Sequence, residues 1–310
     1  MRISLRALEY VVTAAETGSV SEAAARLNVS QPSVSGAIAQ FESDLKLTLF
    51  VRHHARGVSV TPSGQRIITE ARALLNHAAD FSRAARAFGS PTQGDIAVGC
   101  FSTLAMRYMP PLLAAFAASH PAVKVALHDG DQSAILEGLQ SGRTEYALSY
   151  GYALPEEIEA EPLGRLPPHL VLAATHPLAR RKRLALADLI DEPFLLLDLP
   201  FTRDYFLALF AARELRPKIV FRSGSYELIR GLVGRGRGYT ILNVLPLTNL
   251  AQDGSEVATV PIADPLPAVE MMGLRLARHP VRPAVAAFAS LLRDAFAPGG
   301  FLDPAAPARP

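Results

Sequence analysis

Residues 19–41, SVSEAAARLNVSQPSVSGAIAQF, write two helices joined by a tight turn, and the N-terminal fold follows from them. Val20, Ala23, Ala24 and Leu27 fall at i, i+3, i+4 and i+7, the spacing of one helical face. Val34, Ala37, Ile38 and Phe41 repeat it in the second helix. Ser19 followed by Glu22 predicts a capping box, each side chain satisfying a free backbone donor of the first turn. Ser30 is placed to cap the second helix, with Pro32 in its first turn where a missing N–H costs nothing. Asn28-Val29 is the turn, and Asn tolerates the left-handed backbone such turns need. Upstream, Leu8, Val11, Val12 and Ala15 give a helix from about Leu5 to Thr17 the matching face. These three helices make a compact head.

The outer face of the second helix is small and polar: Gln31, Ser33, Ser35, Gly36, Ala39 and Gln40. Gln bonds an adenine edge in bidentate fashion, Ser reaches a base edge or phosphate, and the helix N-terminus favours a phosphate. Periodicity alone leaves an ordinary three-helix bundle equally open. The following residues favour DNA. Leu49-Phe50-Val51-Arg52, the basic segment His53, His54 and Arg56, a Gly57 turn and Val58-Ser59-Val60 predict a two-stranded wing reaching phosphate or a minor groove. The candidate DNA-binding residues are Ser30, Gln31, Pro32, Ser33, Ser35, Gln40, Arg52 and Arg56. His53 and His54 alone are too few for a metal site.

The run from Leu5 through Gly64 resembles the winged helix-turn-helix head of LysR-type transcriptional regulators. The match lies in Ala15, Glu16, Gly18, Ser19, Ala23, Ala24, Leu27, Ser30, Gln31, Pro32, Ser33, Val34, Ser35, Ile38, Glu42, Leu45, Leu49, Phe50, Arg52, Thr61, Pro62 and Gly64. The chain departs at Lys46, where the family usually turns with Gly.

Thr61-Pro62 opens a long helix. In it Ile67, Ala71, Leu74, Ala78, Phe81, Ala85 and Phe88 alternate in steps of four and three, a 3.5-residue period that predicts pairing along a seam. A dimer suits a head that addresses two half-sites, and the resemblance implies the same linker-helix dimer. The run Gly89-Ser90-Pro91-Thr92-Gln93-Gly94 ends it. The expected domains are a head over 1–64, a linker helix over 61–89, an effector-binding domain over 92–297 and a mobile tail over 298–310.

Beyond the break, strands alternate with helices, implying parallel pairing and covered sheet faces. Strands are expected over 96–100, 123–127, 146–150, 170–174, 194–197, 218–221, 239–242 and 273–277, with helices over 104–119, 134–140 and 282–296. The fold class is α plus α/β, the C-terminal part being two lobes laid out like periplasmic solute-binding proteins. One lobe is expected over 92–160 plus 273–297, the other over 161–272. The resemblance, reaching to about Pro283, implies an effector-binding domain.

Ligands of open parallel sheets bind beyond the strands' carboxyl ends. Those ends nominate Phe101, Ser102, Thr103, Gln132, Ser133, Ser149 and Tyr150 in one lobe, and Thr202, Arg203, Arg222 and Ser223 in the other. Ser102 and Thr103 open a helix whose N–H groups hold a carboxylate, and Arg203 and Arg222 add fixed charge, so a small anionic metabolite is expected. Each hydroxyl is equally well explained as a helix cap.

Gly234-Arg235-Gly236-Arg237-Gly238 reads as a helix-ending turn rather than an RNA-binding run, and no phosphate-loop or dinucleotide fingerprint appears. Cys100 is the only cysteine, which excludes an intramolecular disulfide switch and fits a small core residue. The 310 residues suffice for several cores, and a net charge of +2 is too small to argue nucleic acid by itself. A single cysteine, no leader peptide and no apolar run of membrane length predict a cytoplasmic protein. No catalytic set, metal cluster or cofactor motif is visible, so no enzyme is expected. The expected partners are promoter DNA, a small-molecule effector and further copies of the chain as dimer or tetramer, with RNA polymerase a further candidate and no membrane. The rival class is a solute-binding or transport protein, against which residues 1–64 argue.

Overall fold

The computed structural model describes residues 4–53, 57–86, 94–277 and 281–304. The chain forms two compact units, residues 1–93 with 137–144 and residues 94–136 with 145–310.

The first unit opens with α1 (Leu5–Thr17), α2 (Val20–Arg26) and α3 (Gln31–Leu45). Their apolar faces meet in a core of Leu8, Val11, Ala23, Ala24, Val34, Ile38 and Phe41, as the periodicity predicts. Ser19 caps α2 by accepting the Glu22 N–H, but the box is one-sided: the Ser19 N–H donates to the Thr17 hydroxyl instead of to Glu22. Asn28 takes a left-handed φ of 54° in the turn. Ser30 caps α3, with Pro32 in its first turn. The wing is an antiparallel hairpin of β1 (Phe50–His53) and β2 (Gly57–Val60).

Helix α4 (Pro62–Arg86) begins behind Thr61, whose hydroxyl accepts the Gly64 N–H at 2.9 Å. Its seam is only partly open to a second copy. Ala71 is buried in the head core and Ile67 packs against it, contrary to their expected dimer role, because the head claims the first three turns. Ala78 is half-buried, Leu74 and Phe81 stand exposed, and the Ala85 side chain and Phe88 lie outside the described residues.

The second unit has two lobes. In the first, β3 (Gly94–Phe101), α5 (Ser102–Ser119), β4 (Val123–Gly130), α6 (Gln132–Gln140, whose residues from Glu137 on group with the first unit), β5 (Tyr146–Tyr150) and β6 (Ile158–Leu166) come in succession. In the second lobe follow β7 (His169–Ala173), a 3-10 turn (Leu186–Leu189), β8 (Pro193–Leu197), α7 (Thr202–Ala211), β9 (Lys218–Ser223), α8 (Tyr226–Gly234), β10 (Thr240–Leu242) and β11 (Val257–Pro261). The chain then returns to the first lobe through β12 (Val269–Leu276) and α9 (Pro283–Phe296).

The first sheet has the order β4-β3-β5-β12-β6. It is mixed rather than wholly parallel, since β12 runs antiparallel to both neighbours. In the second lobe β7 lies antiparallel between β10 and β11, and β8 pairs parallel with β9. Each lobe has its own core, around Phe101, Leu112, Phe116 and Phe288 in one and Phe194, Phe210, Ile229 and Tyr239 in the other.

Because β6 stays in the first sheet to Leu166 and β12 rejoins it from Val269, the second lobe covers 167–268, shorter at both ends than the expected 161–272. The expected mobile tail is also corrected in part. Leu302 is buried in the first core, its N–H donates to the Ala295 carbonyl at 2.9 Å, and only residues after 304 lie outside the described ones.

Candidate functional site

The first candidate site is the outer face of α3. Gln31, Pro32, Ser33 and Gln40 are exposed and Ser35 is half-buried, while Val34 and Ile38 face the core. Ser30 and Ser33 join hydroxyls at 2.7 Å, which orders the first turn. Gln40 spends an amide hydrogen on Asp44 at 2.8 Å, so reading a base with that group requires breaking an i,i+4 bond. Arg52 leans from β1 toward the same face, its Nη2 3.4 Å from the Ser35 hydroxyl. Arg56 lies outside the described residues. A polar, protruding helix flanked by a wing arginine has the form needed to enter a major groove and hold its edge.

The second site is a narrow cavity of about 10 Å³, room for a single water, between the lobes of the second unit. From the first lobe it takes Thr103, Tyr150 and Tyr152, and from the second Thr202, Tyr226 and Asn243 among others. Thr103 sits at the start of α5 because β3 ends at Phe101, whose ring packs edge-on against Tyr150 at 4.8 Å. The Thr103 and Tyr150 hydroxyls lie 2.8 Å apart.

Behind them, buried Gln132 ties the wall together. It donates to the carbonyls of Tyr150 (3.1 Å) and Tyr152 (3.2 Å) and accepts from the Ser149 hydroxyl at 2.6 Å. Across the cavity, Tyr226 donates to the Val244 carbonyl at 2.6 Å. Asn243 donates to the Leu166 carbonyl at 2.9 Å and to the Tyr205 hydroxyl at 3.0 Å. Thr202 is the exception, its buried Oγ1 having no partner.

Burial raises the Tyr150, Tyr152 and Tyr226 hydroxyls well above the usual phenol range, so these groups stay neutral hydrogen-bonding partners. Helices α5 and α7 both begin without a side-chain cap, so neither Thr103 nor Thr202 acts as a capping hydroxyl.

Other nominated residues sit elsewhere. Ser102 is half-buried and directs its hydroxyl to Asp129 at 3.5 Å, and Ser133 is exposed on α6. The Ser223 hydroxyl accepts the Ser225 N–H at 3.0 Å, a turn role. Arg203 and Arg222 do not line the cavity: both converge on Asp198, at 3.4 and 3.7 Å, and Arg203 also pairs with Asp204. The charge expected from them at the ligand is already neutralised.

Sequence reasoning passed over Tyr152, Tyr226 and Asn243. Each lies just beyond a turn or strand end, and a search for hydroxyls and amides there finds them. Cys100 is fully buried, and its thiol is pushed up by burial and then by nearby Asp129. Among the described residues no group of His, Cys, Asp and Glu could hold a metal ion, and no helix is long and apolar enough to cross a membrane.

Comparison with known proteins agrees with this division. Residues 5–65 match the bacterial regulatory helix-turn-helix protein, lysR family, and residues 89–297 match the LysR substrate binding domain. The regulator CfxR of Cupriavidus necator is 32% identical over 78% of this chain and 76% of its own length. The regulator YnfL of Escherichia coli is 30% identical over 93% and 97%. The crystal structure of HinK, a LysR family transcriptional regulator from Pseudomonas aeruginosa, is 35% identical with a TM-score of 0.64, covering 94% of this chain and 98% of that one. Regulators of this kind bind DNA and small-molecule effectors and form oligomers. The chain belongs to the LysR family of transcriptional regulators.

Proposed function

We propose that this regulator reads promoter DNA through Gln31, Ser33 and Ser35, steadies itself on the backbone with Arg52, and pairs with a second copy along Leu74, Ala78 and Phe81 of α4. Its effector is a small carboxylate-bearing molecule that binds between the lobes, which must part to admit it because the gap there now holds no more than a water. The observation that carries the effector reading is the Thr202 hydroxyl, buried at the cavity without a partner. Such a group costs free energy until an acceptor or donor fills it. The cavity lining carries no charged side chain, and α5 starts there without a side-chain cap, so negative charge is met by backbone N–H groups rather than by Arg203 or Arg222.

Some relatives are named hydrogen peroxide-inducible genes activators. A thiol-based peroxide response needs a reactive thiolate, and burial holds the sole cysteine, Cys100, in the opposite state.

Calorimetry of the full chain against small carboxylates and their neutral amides tests the effector reading. Carboxylates are expected to bind more tightly, and Thr202→Val to weaken them about tenfold, the worth of one good hydrogen bond. Equal binding of acid and amide, or an unchanged Thr202→Val variant, refutes it. The DNA reading fails if the chain retards no fragment of its own upstream region at low salt.

A further inference from the structure

The wing of the head hangs on one carboxylate. Glu42, in the last turn of α3, accepts the N–H groups of Leu49 at 2.6 Å and Phe50 at 3.1 Å through a single oxygen, Oε1. These are the residues that lead into β1. The Leu49 carbonyl in turn accepts the Thr61 N–H at 2.9 Å. Gly64 crosses so close that a Cβ there would stand 2.4 Å from the Leu49 oxygen. Leu49 is therefore bound on one side to α3 and on the other to the start of α4.

A lone two-stranded hairpin has little stability of its own, so its direction must be imposed at its base. Bonds to an ionised acceptor are about twice as strong as neutral ones and suit that role. The second strand has a separate anchor, the Val58 N–H donating to Gly18 O at 2.7 Å. Loss of the first anchor would turn the wing without detaching it. What would then be lost is register. Arg52, two residues beyond Phe50, now lies over Ser35 of the reading face.

We propose that Glu42 is a positioning residue for DNA reading: it locks the wing to α3, so that Arg52 meets the backbone while Gln31, Ser33 and Ser35 meet the bases. It touches no DNA itself. The inference rests on the head being a DNA reader and is independent of the effector.

The test uses the full chain and a duplex selected from a random pool by the wild-type protein, read by hydroxyl-radical footprinting. Glu42→Ala and Glu42→Asp, the latter one methylene too short, are expected to lose protection where the wing lies. Protection at the central major groove should persist, with affinity about tenfold lower. Glu42→Gln keeps an acceptor oxygen in place and should restore the wing footprint. Arg52→Ala should lose the same protection while the Leu49 and Phe50 amides stay slow to exchange. If Glu42→Ala proves unfolded, Glu42→Asp decides. Wing protection equal to wild type in Glu42→Asp, or loss of wing and central protection together, overturns the proposal.

Discussion

At the scale of the residue, Lys46 departs from the pattern of its family and its geometry shows the cost. It closes α3 in the left-handed region, with φ at 53°. A side chain there costs roughly 1–2 kcal/mol that glycine avoids, less the greater entropy glycine loses on folding. Lys46→Gly is therefore expected to stabilise the head by about 0.5–1 kcal/mol, slowing amide exchange in α3 about two- to fivefold. Unchanged or faster exchange would show that the Lys46 side chain compensates in a way the backbone does not reveal. His169 gives a pH-dependent case. Burial lowers its pKa below 6.5, against a weaker opposing bond to the Pro167 carbonyl. The unfolded chain then binds the proton more readily, so stability is fully present above about pH 6.5 and falls as pH drops through the folded pKa. His169→Gln should flatten the decline in urea midpoint between pH 7.5 and 5.5; an equal decline in both proteins excludes this source. Residues were legible where a local rule governs them, as at Ser30 and Asn28. Arg203 and Arg222 were not, because the chemistry of a guanidinium is visible in sequence while its neutralisation by Asp198 depends on how two strand ends meet.

At the scale of the element, helices α1 to α3 follow from the apolar period, since each buries one face in a shared core. Strand β6 was not legible. Its segment, IEAEPLGRL, carries a Pro and alternates imperfectly, as befits the edge of a sheet where one side makes no ladder bonds. The seam of α4 was only partly legible, because its period could not show that the head would claim Ala71. What remains for a second copy begins at Leu74, 51% exposed, and continues to Phe81, 76% exposed, one heptad on. Exposed apolar groups at this spacing are the signature of an unpaired coiled-coil face. Leu74→Glu with Phe81→Glu should give a monomer in sedimentation with helical circular dichroism unchanged. Affinity for a two-half-site duplex should fall at least tenfold, because the second head loses its effective concentration. Dimers that survive both charges would assign oligomer formation to another surface.

At the scale of the whole molecule, the question is how an occupied cavity reaches the rest of the effector domain, and one hydrogen-bonded chain supplies a route. Asn243, in the cavity wall, donates to the carbonyl of Leu166, at the end of the strand leaving the first lobe. It also donates to the Tyr205 hydroxyl, which donates at 2.9 Å to Pro267, on the segment returning to that lobe. Both crossings are thereby fastened to one amide that a ligand can touch. Tyr205 is pushed up to about 12 by burial, so its hydroxyl keeps its proton and the chain its direction across physiological pH. Breaking either bond leaves a buried polar group unpaired, at about 1–3 kcal/mol. Tyr205→Phe and Asn243→Ala are each expected to destabilise the effector domain by that order. Residues that work as one unit do not add, so the double variant should cost about as much as the worse single one, with a coupling of about 1 kcal/mol. Asn243→Ala frees the Leu166 crossing directly and Tyr205→Phe the Pro267 crossing; if the chain acts as one unit, amide exchange in residues 166–170 and 266–270 should quicken together in each single variant. Strictly additive losses, or exchange that quickens at one crossing only, would mean the bonds act separately. Joint quickening would show that the two crossings are coupled through this pair, the property needed of an element through which a ligand with differential affinity shifts an equilibrium.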